Sequence, residues 1–482
     1  VLAEIRKSFA AHKQVYLISL LFIAINALFI AFEIYWFVCI PFILLSIYLA
    51  LKALDKFVLL IVFLTPVSIP LEYFYPTLGF NLQLITEPLL IIVLLIFVYR
   101  IILERSFDRR LLTHPISWII YIQLLWIFFT SITSSMPLVS FKFLVSRLWF
   151  VVAFYFMALA LFRRKRMIRR YLWLYMPAML FVVIYALTNL IKVGLFNQKG
   201  AHTAANPFFN DHTSYGAILA MLIPVVAALG TIRKYSTQFR ALGWIIFAIL
   251  CFALLFSYTR AAWISIFVIT GVFIVIKLKI PLKLIGLFVV IAGSIFFMYR
   301  TEIFLKLEQN RQDSSKDISK HLESISNIRT DASNLERINR WNSAKRMFNE
   351  RPIVGWGPGT YMFQYAPFQA SKDKTIISTN RGDWGNAHSE YIGPLAESGL
   401  PGMIIMIVFV LFSLYTGFKV YYNSAPYTQE RILSLALTLG LLTYYIHGTL
   451  NNFLDTDKAS ALVWGYTAML VAMDVRTRRA ED

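Results

Sequence analysis

Charge is scarce in this chain. Asp, Glu, Lys and Arg make up 15% of its 482 residues, against about 25% in soluble domains. That shortage excludes an ordinary water-soluble fold. Acidic residues are the scarcer kind, 26 against 46 basic, for a formal charge of +20. Cysteine is nearly absent: Cys39 and Cys251 both fall in apolar runs. Without sequence neighbours or metal-ligand spacing, they exclude a disulfide framework and a thiolate metal site. They read as small packing residues. The weak alternation of an outer-membrane barrel is missing as well.

What fills the chain instead is hydrocarbon. It is 58% hydrophobic and 16% aromatic, with a mean hydropathy of +0.65. A bilayer span needs about 20 apolar residues. Such runs lie near 14–32, 34–52, 57–71, 84–102, 115–133, 142–162, 171–192, 213–232, 240–257, 261–276, 282–299, 401–419, 432–449 and 458–474. The expected fold is therefore an all-α polytopic membrane protein of about 12 to 14 helices. The organisation follows: 1–299 as an N-terminal bundle of about eleven spans, 300–400 as an extramembrane, mostly helical domain, and 401–482 as further spans and a tail. No cleavable signal peptide is expected, because the first apolar run meets a second at once and lacks a small-residue cleavage site.

Basic residues set the orientation, since translocating them is unfavourable. Every second loop is basic: Arg6, Lys7 and Lys13; Lys52 and Lys56; Arg100 to Arg110; Arg163 to Arg170; Arg233 to Arg240; Lys277 to Lys283; Lys419 and Arg431; Arg476 to Arg479. The intervening loops hold only scattered cations such as Lys142, Lys192, Lys199, Arg260 and Lys458. That alternation predicts both termini in the cytoplasm. It also makes the net charge an inner rim facing anionic headgroups. Nucleic acid is not an expected partner, although the pI is 9.8; membrane lipids are.

Polar residues stand out against this background. Glu87 opens a span, and Arg147 lies inside one. An intramembrane ion is a functional candidate by default, but Arg147 reads equally as an anchor snorkelling to headgroups. The loop 193–212 carries Lys199, His202, Asn210, Asp211 and His212 before a span. Amides and a Lys at a helix N-terminus suit an anion or sugar hydroxyls; the alternative is an ordinary cap by Asp211 or Thr213. Arg260 sits in a tight outer turn, where a fixed guanidinium fork would suit a diphosphate or would simply anchor a helix end.

The segment 300–400 is the one long polar stretch. It is poor in hydrophobic residues over 309–332. Ser333 and Glu336 then have capping-box spacing, and a helix is expected to about Asn349. Arg337 and Arg340, three apart, share one side of it. Gly355, Gly357 and Gly359 look like a phosphate cradle, but without a preceding strand close backbone packing is the better reading. The stretch closes on Ala387-His388-Ser389-Glu390-Tyr391, with a span expected from 401.

The motifs Arg337-x-x-Arg340-Trp341-x-x-Ala344, Pro352-x-x-Gly355-x-Gly357-x-Gly359-x-Tyr361, Ala387-His388-Ser389-x-Tyr391 and Glu397-x-Gly399-Leu-Pro-Gly402 resemble those of the O-antigen ligase and polymerase superfamily. Phe208-x-Asn210 and Ser257-x-Thr-Arg260 fit the same pattern over about residues 205–402. The resemblance implies a metal-independent, inverting glycosyltransferase of the bacterial inner membrane, with its site on the periplasmic side. Such enzymes move a glycan from undecaprenyl diphosphate to an acceptor, either lipid A-core (ligase), another lipid-linked repeat (polymerase) or protein Ser and Thr (oligosaccharyltransferase). It makes His388 the base and Arg260 a diphosphate ligand. Arg337 and Arg340 join it, and Lys199 stands where family members often carry a second Arg. Glu390, Tyr391, Asn210, Trp341 and Arg147 are expected to support the site, with Glu390 orienting His388 or a neighbouring Arg.

The chemistry is reasonable without the resemblance. A sugar hydroxyl is a poor nucleophile, and an imidazole can take its proton as the bond forms. Fixed cations stabilise the leaving diphosphate. No cofactor is expected. Asp455-Thr456-Asp457 has metal-like spacing, but the loop is short, and both residues are expected to tolerate Asn. A transporter would show broken helices in repeated halves, which are not evident.

Overall fold

The computed structural model describes residues 13–74, 82–103, 109–281, 332–375, 378 and 385–481, with isolated positions between 283 and 298. Among the described residues 79% are helical and no strand forms. Nine described helices are long and apolar enough to cross a membrane. The expected span at 282–299 and the polar segment 309–332 fall, but for isolated positions, outside the described residues.

Residues 1–58 form one unit. It contains α1 (Lys13–Ala31) and α2 (Ile40–Lys52), joined through a turn in which Phe37 stacks on Phe22 and Phe29. α1 buries none of its residues and is apolar all round. That suits a helix whose solvent is lipid.

Residues 59–482 form the second unit. After α3 (Leu54–Leu64), which straddles the boundary, come α4 (Thr86–Leu103), α5 (Pro115–Ile132), α6 (Pro137–Phe162), α7 (Lys165–Val193), α8 (His212–Thr231), α9 (Thr237–Leu255) and α10 (Arg260–Lys277). Then follow α11 (Ala332–Glu350), α12 (Ile392–Asn423), α13 (Gln429–His447) and α14 (Asp457–Glu481). The core of the unit is α14, in which every residue from Asp457 to Asp474 is buried. Its Ala459, Ala461, Gly465, Ala468 and Ala472 let neighbours approach closely, as small residues do between membrane helices. Tyr171 of α7, for example, donates to the Ala461 carbonyl at 2.6 Å. α13 and α14 are long enough to span but carry more polar residues than the peripheral helices, which turn apolar faces outward.

The unit has two polar ends. At one, Asp474 accepts from Lys419 at 2.9 Å and Arg478 at 2.7 Å, with His114 at 3.3 Å. Lys165 pairs with Glu430 there, and Arg476 donates to the Phe162 carbonyl. These are the basic loops that the charge alternation grouped together. The other end gathers the starts of α8, α10, α12 and α14 and the end of α13.

One boundary differs from expectation. α12 starts at Ile392 rather than near 401, and it breaks at Gly399, whose φ of 70° and ψ of −172° are not helical. Leu400 donates its N–H to the Pro352 carbonyl at 2.9 Å, so the 352–360 loop fits into the break. Gly399 and Pro401 read as the end of a loop in sequence; in the fold they interrupt a helix. The first half of α12 then receives the glycine-rich loop. Trp356 and Gly357 donate their N–H groups to the carbonyls of Ala396 and Glu397 at 3.0 and 2.8 Å, and the Trp356 and Pro358 carbonyls accept from Ser135, between α5 and α6, and from Ser140 in the first turn of α6. The three glycines therefore serve close packing, as the sequence suggested.

A Cβ at Gly399 would lie 2.0 Å from the Ile353 carbonyl oxygen. Gly399→Ala should thus cost roughly 2–5 kcal/mol through backbone strain and overpacking. Gly271→Ala is the control, because its Cβ meets nothing within 4 Å and alanine favours helix. Thermal unfolding of the two purified variants tests this; equal midpoints would remove the strain argument.

Candidate active site

α11 forms the floor of the polar end. Ala344 and Met347 pack with Tyr361, Tyr365, Ala387 and Ala396 in one apolar cluster. The same side of the helix, nearer its start, carries ions, and Arg340 lies over the Tyr365 ring of that cluster. Glu336 accepts from Arg340 Nε at 3.0 Å, from Thr375 at 3.0 Å and from Ser378. Burial alone would raise its pKa, but these donors hold it below the usual carboxylate value. Its carboxylate thus works across α11 and the 375–378 segment, beyond the capping box that its spacing suggested. The Ser333 side chain lies outside the described residues.

Arg340, anchored by Glu336, donates from Nη1 to the Asn386 carbonyl at 3.0 Å. Its guanidinium lies against Gly385, where a Cβ would sit 1.7 Å from Nη1. Asn386 Oδ1 then accepts the His388 N–H at 3.0 Å. His388 itself holds a φ of 48°, a region that costs a non-glycine residue and persists only where its surroundings impose it. Arg340 thus shapes the loop that presents the imidazole. Burial first, then Arg340 and Arg337, lower the His388 pKa to about 3, with Asp211 and Glu336 opposing. At neutral pH the ring is an uncharged proton acceptor.

The hydrogen bonds of the Glu390 carboxylate run to residues 444–454, and Arg147 acts on it electrostatically. Its Oε1 accepts from Tyr444 OH at 2.5 Å and from the N–H groups of Phe453 and Leu454 at 2.8 Å. Its own N–H donates to the Gly448 carbonyl at 2.8 Å. Burial and Asp455 raise its pKa, while Tyr444 and the Leu454 amide work against that rise. Tyr391 adds a parallel tie, from its OH to the Tyr445 carbonyl at 2.9 Å. Arg337 reaches the same segment from the other side, Nε to the Leu450 carbonyl at 3.2 Å. The His388 loop, α11 and residues 444–454 are therefore one assembly.

The starts of α8 and α10 join it. Asp211 caps α8, accepting from Thr213 and Ser214 N–H groups, so it is the cap of the two that were possible. Thr259, the residue before Arg260, donates its hydroxyl to the His212 carbonyl at 2.7 Å. Arg260 and Arg337 both act electrostatically on His212, and Arg337 and Asp211 act on His388. His202 stacks on His212 at 4.1 Å. Lys199 is exposed on a short helical turn, and Asn210 is exposed beside Asp211. The α11 residue Trp341 is half-buried, with an indole N–H that meets no partner among the described residues.

Arg147 is 7% exposed and pairs with Asp455 at 2.6 Å. Asp457 points elsewhere, accepting from Ser68 at 2.5 Å and Thr86 at 2.6 Å, with the Lys458 ammonium at 3.4 Å. The two carboxylates are thus engaged by different protein partners. Among the described residues, no cluster of three or more His, Cys, Asp or Glu has metal-binding geometry.

Residues 245–407 match a family model described as O-Antigen ligase. This domain of the chain is similar to that family. The domain takes in Arg260, Arg337, Arg340, Trp341, His388, Glu390 and Tyr391; Arg147, Lys199 and Asn210 lie outside the matched residues. Members of this family are glycosyltransferase-like enzymes acting on lipid-linked glycans. No curated protein sequence matches the chain. Sequence reasoning passed over His447 and gave Asn451 no role, although both belong to the assembly; a His closing an apolar run on the His388 side of the bundle was the available signal.

The partners of Asp457 change one sequence expectation. Asp455→Asn removes a half-exposed ion-pair partner, and the protein should fold. Asp457→Asn leaves Lys458 buried without its counter-ion, a loss of roughly 3–5 kcal/mol. Comparing the unfolding midpoints of the two variants tests this; equal losses would contradict it.

Proposed function

We propose that this protein is an O-antigen ligase, transferring polysaccharide from undecaprenyl diphosphate to the lipid A-core of lipopolysaccharide. The reaction takes place at the periplasmic face of the bacterial inner membrane, with the Asp474 end in the cytoplasm. The observation that carries the reading is His388. A neutral imidazole is held in a strained loop by Arg340 and Asn386, inside the domain similar to the O-antigen ligase family.

In this reading an acceptor hydroxyl oxygen attacks the anomeric carbon of the donor sugar. The hydroxyl proton passes to a ring nitrogen of His388. The bond from the anomeric carbon to the phosphate oxygen breaks, and its electron pair stays on the diphosphate. Attack opposite the leaving group inverts the anomeric configuration. Arg260, Arg337 and Arg340 supply the positive field in which that charge develops, and Lys199 adds a cation at the rim. Trp341 and Asn210 line the approach. Arg147 acts at one remove, holding Asp455 beside the segment that Glu390 and Tyr391 clamp. The mechanism asks for no metal, and transfer should persist in excess chelator.

Burial first, and the nearby arginines second, explain why the base is so weakly basic before substrate arrives. The diphosphate brings negative charge, which raises the imidazole pKa in the complex. The sign follows directly. In the free enzyme the active, neutral form persists down to about pH 3, so kcat/KM should show no acid limb near 6.5. The acid limb of kcat should lie at higher pH than that of kcat/KM. An acid limb of kcat/KM at the ordinary histidine value would contradict this electrostatic account.

Deleting the gene and running the surface glycans on a gel tests the function. Loss of all polymer from lipid A-core, with lipid-linked glycan accumulating, is the expected result. Core bearing a single repeat would mean polymerase instead. Complementation with His388→Ala should fail although the variant inserts normally, through a loss of roughly 10²–10⁴-fold in transfer.

A further inference from the structure

His447 closes α13 and is 1% exposed. Asn451, 3% exposed, places its amide nitrogen 3.1 Å from His447 Nε2. An amide nitrogen only donates, so Nε2 accepts and the ring proton sits on Nδ1. That Nδ1 is buried and meets no partner among the described residues. The indole N–H of Trp341 and Nδ1 of His212 are in the same position.

These groups belong to the assembly around His388. Glu390 N–H bonds the Gly448 carbonyl at 2.8 Å, which puts the residue after His447 against the residue two beyond His388. Arg337 bonds the Leu450 carbonyl, and Trp341 lies one helical turn after Arg337, on the same side of α11. A fold that buries a donor without a partner carries the whole desolvation penalty of that group unless a ligand meets it. Here His447 Nδ1 and the Trp341 indole N–H belong to elements tied directly to the His388 loop, and the unpartnered His212 Nδ1 belongs to a residue on which Arg260 and Arg337 act.

We propose that His447 is a sugar-binding residue, its Nδ1–H donating to a hydroxyl of the donor glycan beside His388, with Asn451 holding the tautomer this requires. The inference rests on the glycan-transfer reading above. The chemistry favours a sugar over the diphosphate. Imidazole and indole N–H groups are neutral donors, matched to hydroxyl oxygens, whereas the anionic group has the guanidinium forks of Arg260 and Arg337. The Phe453 ring, 5.7 Å from that of His447, adds an apolar wall for the sugar C–H face. His447 thus contributes to recognising the glycan and not the lipid carrier.

The test uses the purified full chain and two probes: undecaprenyl diphosphate without sugar, and the lipid-linked glycan extracted from the deletion strain. His447→Phe keeps a ring and removes the donor. It should weaken binding of the glycan-bearing lipid roughly tenfold or more, the scale of one lost buried hydrogen bond, and leave bare undecaprenyl diphosphate within about twofold. His447→Gln, which can still donate, should recover part of the loss. Should His447→Phe fail to fold, Asn451→Ala must give the same selective loss by releasing the tautomer. Equal weakening of both probes, or of neither, overturns the proposal while leaving the glycan-transfer reading intact. Wild-type protein that binds neither probe sinks that reading and this inference with it.

Discussion

One carboxylate joins the two halves of the site. Glu390 sits two residues after His388, 7% exposed, and collects Tyr444 OH and two backbone N–H groups on a single oxygen. Buried backbone groups must find partners, and here the partner is a side chain from the segment carrying His388. The His388 loop and the 444–454 segment therefore cannot move apart without stranding several polar groups at once. Such a network is stiff because partial satisfaction is costly. Stiffness is what a transfer site needs, since its charges must be placed before the reaction begins.

The arginines divide into two kinds of work. Arg340 spends Nε on Glu336 and Nη1 on the Asn386 carbonyl, so much of its fork is committed to shaping the base loop. Arg337 spends Nε on Leu450, and Arg260 starts a helix from a turn bonded to the His212 carbonyl. All three still act through their fixed positive charge. A guanidinium can do both tasks because its five donors point in several directions, and lysine could not hold the same loop while keeping the same field.

The fold class was legible in the sequence because lipid leaves few choices. Apolar runs of span length and basic loops at every second connection follow from transfer energetics alone. The sequence also singled out Arg337 and Arg340 by their spacing and His388 by its place at the close of the polar segment, and the fold brings the three into one assembly. What the sequence did not show was pairing across distance. Arg147 meets Asp455 from 308 positions away, and Ser68 meets Asp457 from 389; no local pattern encodes either. Glu390 was read as orienting His388 or a neighbouring Arg, and no local pattern showed that its hydrogen bonds run to Tyr444, Phe453 and Leu454, 54 to 64 positions away. The break in α12 was missed for a related reason. Gly399 and Pro401 signal an interruption, but only the 352–360 loop, packed into that interruption, decides that helix resumes on both sides.

The electrostatics of the base imply an order of events. An imidazole lowered to about 3 by burial and arginines accepts a proton poorly, so acceptor binding alone would gain little from His388. The proposed donor carries the charge that changes this. Its diphosphate offsets the guanidinium field, raises the basicity of the ring, and leaves the arginines bonded to the group whose charge grows during transfer. The same field that weakens the base in the free enzyme thus serves the leaving group in the complex. In the proposed reading the donor's charge offsets the arginine part of that lowering, though not the burial that leads it, so the ring is a better base with a donor in place than at an empty site. On this argument donor binding precedes productive acceptor binding, and the clamp at Glu390 keeps the base fixed while the field around it changes.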